Sequence, residues 1–172
     1  NKLTSITEQF PAYKSQRGIS LQIQFLMASF AVNDGDYEAA ENFVTKWLPM
    51  AKFLLFAICA DCTWMVDFIV QPMVAIYLYK KEAGQDISTF KKFLKDFRTK
   101  LDEFGRLFPG SHRCSGVAYS AQISLALKDR PLEEELKKME DALAYAIELE
   151  CLPLEIPIIQ AVIAKWKGNF NG

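Results

Sequence analysis

Nothing along the chain has the pattern of a strand followed by a helix. Apolar positions recur every three and four residues, and glycines and prolines cut the sequence into segments of helical period. SITE at 5–8 has the form of a capping box, which predicts a short helix before Pro11. ISLQIQFLMASFAV, residues 19–32, is apolar on almost every face and stops at Asn33, Asp34 and Gly35. A second helix is predicted from near Asp36 to about Leu48, with small Ala39 and Ala40 early and Phe43, Val44, Trp47 and Leu48 later.

Residues 50–79 are the most apolar run, long enough to cross a membrane but interrupted by Asp61, Asp67, Gln71 and Pro72. A central Asp costs roughly 3 kcal/mol in a bilayer, so the reading is a buried core helix, or two helices broken near Asp61 to Thr63. Lys80, Lys81 and Gly84 end it as cations and glycine end helices. From Ser88, Phe90, Phe93, Leu94, Phe97, Leu101, Phe104 and Leu107 form one stripe opposite Lys91, Lys92, Lys95, Arg98 and Asp102. Pro109 and Gly110 close that helix, and a segment rich in small residues follows over 111–128. Asp129 is the expected cap of the next helix, with Pro131 in its first turn and an apolar stripe of Leu132, Leu136, Met139, Leu143, Ala146 and Ile147. A last helix begins around Pro153 and Pro157 and ends at Lys167 and Gly168.

The predicted helices alternate in character. Segments 19–32, 64–83 and 113–128 are apolar or small throughout, whereas 36–48, 88–108 and 131–149 are amphipathic. An inner helix flanked on several sides beside an outer helix wetted on one face gives that alternation, so the expected fold is all-α, built of antiparallel helical hairpins. GDYEAAENFVTKWL resembles the turn and second helix of a tetratricopeptide repeat: Gly35, Asp36, Tyr37 and Ala40 match its consensus, and Ala28 falls at the small position of its first helix. Two helices cross closely only where side chains are small. Residues 116–149 repeat the order of small helix, turn and amphipathic helix, with Glu133, Glu134 and Glu135 where the family keeps a small residue. The turns near Gly35, Gly84 and Asp129 lie 49 and 45 residues apart, against about 34 in that repeat. The resemblance, strongest at 19–48, implies a short right-handed solenoid that binds a peptide or partner protein.

Length and composition narrow this reading. The 172 residues fit one helical-repeat domain over 1–172, and 51% hydrophobic with thirteen Phe calls for a filled interior. Starting at Asn1 and not Met, the sequence reads as a piece of a larger protein. Lys and Arg number 20 against 21 Asp and Glu, which argues against nucleic acid as the partner. Four thiols in a chain with this much core point to a reducing, cytoplasmic setting. Charge is uneven along the chain: 80–106 carries eight cations and five anions, and 128–150 four cations and eight anions.

Candidate chemistry is sparse. Cys59 and Cys62 (CADC) with His112 and Cys114 (HRC) are the four residues whose spacings suit zinc, but CADC sits between FLLFAI and TWMV, where cysteines serve as small core residues. The expectation is no metal and no cofactor. Asp61 is read as a helix cap and Asp67 as facing solvent or a lysine; the single His112 is expected in an exposed turn without a nucleophile to serve. No phosphate-binding glycine loop is present. The chain is therefore expected to be no enzyme, with a protein or peptide partner met by Gln22, Gln24, Tyr77, Tyr119 and Gln122 on the first helix of each pair. The alternative is a small-molecule or lipid-binding domain with an apolar cavity lined by the Phe stripe.

Overall fold

The computed structural model describes residues 17–48, 64–107, 110–150 and 155–168. Among them there is no strand. Seven α-helices follow one another: α1 (Arg17–Asn33), α2 (Tyr37–Val44, continued by a 3-10 turn over Thr45–Trp47), α3 (Trp64–Glu82), α4 (Ser88–Leu107), α5 (Ser111–Leu127), α6 (Leu132–Glu148) and α7 (Glu155–Gly168). The SITE capping box and the proposed break at Asp61 to Thr63 lie outside the described residues. No described helix is long and apolar enough to cross a membrane.

The turns are built from the residues that announced them. After α1, Gly35 takes φ +78°, its N–H meets the Val32 carbonyl at 3.0 Å and the Asp36 N–H reaches back to Ala31 at 2.8 Å. This double closure satisfies carbonyls that the helix end leaves open, and glycine adopts it without a Cβ penalty. One residue later the Asp36 carboxylate accepts the Ala39 N–H at 3.0 Å and caps α2, a contact worth about 1 kcal/mol. The same closure ends α3, where Gly84 has φ +66° and Gln85 N–H bonds Lys80 at 2.9 Å. The α5–α6 turn departs from expectation. Its left-handed position is Lys128 (φ +53°), and α6 starts after Pro131 with no side-chain cap. Asp129 does not cap α6; its Oδ1 binds Arg98 at 2.5 Å instead.

The helices that read as uniformly apolar touch in succession, α1 on α3 and α3 on α5; α2, α4 and α6 pack against them, and α7 packs on both α5 and α6. Two apolar clusters result. One joins α1 to α4 and takes in Ala28, Ala40, Phe97 and Leu101, each fully buried, together with Tyr119 and Ile123 of α5. The other joins α5, α6 and α7 around Ala118, Ala121, Leu125, Met139 and Ile159. α5 belongs to both, and over 114–127 every residue but Val117 is buried. Its small residues follow from that position: a Cβ placed on Gly116 would lie 2.9 Å from the Gly105 Cα and N and from the Leu101 carbonyl of α4. Burying a side chain of the size of Phe97 or Leu101 contributes about 1.5–3 kcal/mol. The Phe stripe of α4 is thus core from Phe90 to Phe104.

Candidate functional site

Between α1 and α3 on one wall and α7 on the other lies a cleft of about 530 Å³. α1 contributes Val32 and Asn33, one turn before Gly35 ends the helix, and α2 contributes Tyr37 just after its cap. α3 supplies Phe68, Gln71, Pro72 and Ala75, spaced at three and four and so on one face. Pro72 lies inside α3 and gives no N–H to the Phe68 carbonyl one turn back. α7 faces them with Ala161, Val162 and Lys165.

The rim at Tyr37 is held firmly. Its ring stacks on Tyr79 of α3 with centroids 4.3 Å apart and planes 6° from parallel. One turn after Tyr37 in α2 and one residue after Tyr79 in α3, Lys80 Nζ donates to both carboxylate oxygens of Glu41 at 2.8 Å, and Lys80 has 14% of its side chain exposed. The same ammonium lies 5.7 Å from the Phe90 ring of α4, so one cation ties three helices. In the cleft floor, Gln71 Oε1 accepts the Gln122 amide at 2.9 Å, which leaves the Gln71 Nε2 outside that bond. Lys165 forms no ion pair with a described residue, unlike Lys167, which pairs with Glu140. The cleft therefore offers apolar side chains, two side-chain amides, the half-buried Asp67 carboxylate and the Lys165 ammonium.

The residues singled out from the sequence fall in different places. Gln22 and Gln24 are half-buried on α1, but Tyr77, Tyr119 and Gln122 are at most 4% exposed and offer a partner almost no surface. The reason is that α3 and α5 are covered on nearly every side, so their polar residues turn inward with the rest. Cys59 and Cys62 lie outside the described residues. Cys114 is buried in α5 beside Ala146, and the His112 backbone belongs to the first turn of α5, not to the preceding loop. Among the described residues no three His, Cys, Asp or Glu side chains are grouped to hold a metal. Asp67 is half-buried in the cleft wall. No family model, curated protein or solved structure matches this chain. The sequence marks Asn33 as a helix stop and Gln71 and Pro72 as breaks in an apolar run, and gives Ala161 and Lys165 no mark; only the placement of α7 near α1 and α3 brings them together in the cleft.

A second polar cluster sits where α4, α5 and α6 meet. Arg98 binds Asp129 and, at 3.1 Å, the Ser124 hydroxyl, while Asp102 accepts from Ser120 and from Arg130 at 3.4 Å. Burial acts to raise the Asp129 pKa, yet the hydrogen bond and charge of Arg98, with Lys95 and Arg130 beyond, leave it below the ordinary value. The outward-facing Asp86 is also lowered, chiefly by the Ser88 N–H and then by the Ser88 hydroxyl. Both groups brace turns; neither reaches a cavity.

Proposed function

We propose that the chain is a non-enzymatic interaction module, a short tetratricopeptide-like stack of helical hairpins, which holds a segment of a partner protein in the cleft between α1, α3 and α7. The cleft itself carries the reading. Its volume, about 530 Å³, lies within the range of about 300–1,000 Å³ that suits bound ligands, and helices rather than loops wall it. The succession α1, α3, α5 with α2, α4 and α6 alongside supports the stacked-hairpin description, as does the match of Gly35, Asp36, Tyr37 and Ala40 to the repeat consensus. Donors on Asn33 and Gln71 suit the carbonyls of an extended chain, and Val32, Phe68 and Val162 suit its apolar side chains.

A random peptide display selection against the intact chain, followed by titration of the selected peptides, tests this. Ala161→Trp fills the cleft from an exposed position and is expected to weaken selected peptides at least about tenfold, or 1.4 kcal/mol. Amide shifts on binding should map to α1, α3 and α7. Peptides that bind the Ala161→Trp variant as tightly as the parent would place recognition elsewhere and overturn the reading.

A further inference from the structure

A second cavity lies apart from the cleft, where the first turn of α5 meets α6. It measures about 390 Å³, the lower part of the range occupied by small organic ligands. Its bed is Val117, Ala142 and the half-open ring of Tyr145, with buried Cys114 behind. Three charged side chains line it: Arg113 from α5, and Lys138 and Asp141 from α6. Lys138 is already engaged, its ammonium 2.5 Å from Oε1 of the buried Glu135. Arg113 and Asp141 are exposed, and among the described residues neither forms an ion pair, with each other or with any other group.

The cavity thus presents one uncommitted cation and one uncommitted carboxylate, on two different helices, over an apolar bed. A simple anion drawn to Arg113 would meet Asp141, and a simple cation drawn to Asp141 would meet Arg113. A ligand with both charges satisfies both walls, through a two-pronged guanidinium–carboxylate contact and an ammonium–carboxylate contact. We infer that this cavity binds a small zwitterion with an apolar side chain, a free α-amino acid of the leucine or phenylalanine kind. Its carboxylate rests on Arg113, its ammonium on Asp141, and its side chain lies over Val117, Ala142 and Tyr145. This site shares no lining residue with the cleft, so it stands or falls separately from the partner-binding role.

The test is a titration of the isotope-labelled intact chain with L-leucine and L-phenylalanine, read by amide and methyl shifts. 4-Methylpentanoate, which lacks the ammonium, and 3-methylbutylamine, which lacks the carboxylate, serve as one-charge probes. Saturable shifts at Val117, Ala142 and Tyr145 are expected with at least one amino acid, with both one-charge probes at least tenfold weaker. Arg113→Gln and Asp141→Asn should each weaken the amino acid at least tenfold, and because both positions are exposed the variants should keep the parent's circular dichroism and melting. No saturable shift with either amino acid, one-charge probes that bind as well, or unchanged binding in both variants would each overturn the assignment.

Discussion

At Gly116 there is room for a hydrogen and nothing more. Three backbone atoms of α4 stand 2.9 Å from where a Cβ would go, whereas at Gly105, the facing glycine, the nearest atom is the Arg113 carbonyl at 3.4 Å. Alanine in place of a helical glycine gains about 1 kcal/mol of propensity, while overpacking costs about 1–3 kcal/mol when only backbone can yield. Gly116→Ala is therefore expected to destabilise the chain by about 1 kcal/mol or more in urea unfolding, and Gly105→Ala to be near neutral or slightly stabilising. Equal effects of the two changes would contradict the packing described. Lys128 gives the opposite opportunity: at φ +53° a side chain is a burden, so Lys128→Gly should raise stability by about 0.5–1 kcal/mol, seen as a higher urea midpoint at unchanged slope. That Ala28 and Ala40 face the core was legible, because a turn and a cap fix their register. The Gly105–Gly116 approach was not, since it depends on how α4 crosses α5. Nor could the sequence orient Tyr77, Tyr119 and Gln122, because a helix apolar on every face has no polar side from which to infer direction.

Among the helices, α4 was the most readable, with its stripe buried and its lysines outside, because a one-sided pattern has only one stable placement against a core. The start of α6 shows where local rules stop. Asp129 has the chemistry of a cap, but Arg98, with 13% of its side chain exposed, offers it a charged partner across two helices, and the longer-range contact wins. That choice has a consequence in acid. The folded-state pKa of Asp129 is lowered, so its stabilising effect is present above the unfolded value, about 3.9, and is lost as pH falls through the folded one. Comparing melts at pH 6 and pH 3, Asp129→Asn should be less stable than the parent by about 1 kcal/mol at pH 6, with the gap closing at pH 3. A gap at pH 3 as large as at pH 6 would show that the carboxylate's charge is not what matters.

On the scale of the whole molecule, the two clusters meet at α5 and at Trp166 of α7, which packs against both. α7 also rests on Ile159, Ile163 and Val162 in the second cluster and on Ile156 beside Cys114 and Ala146. Trp166→Ala should speed hydrogen exchange of α7 amides by tenfold or more while α1 to α4 keep their protection; matched acceleration throughout would mean that α7 is no separate unit. The order of helices was visible in the pattern, and their neighbours were not, since the placement of α7 opposite α1 and α3 leaves no mark on local periodicity. The double membership of α5 also bears on synthesis. In vectorial synthesis the phenylalanines of α4 emerge before their α5 cover, and at about 5–20 residues per second the 17 residues of α5 take on the order of one to three seconds to follow. In that window the nascent chain is a client for whatever in the cell shields bare aromatic surface.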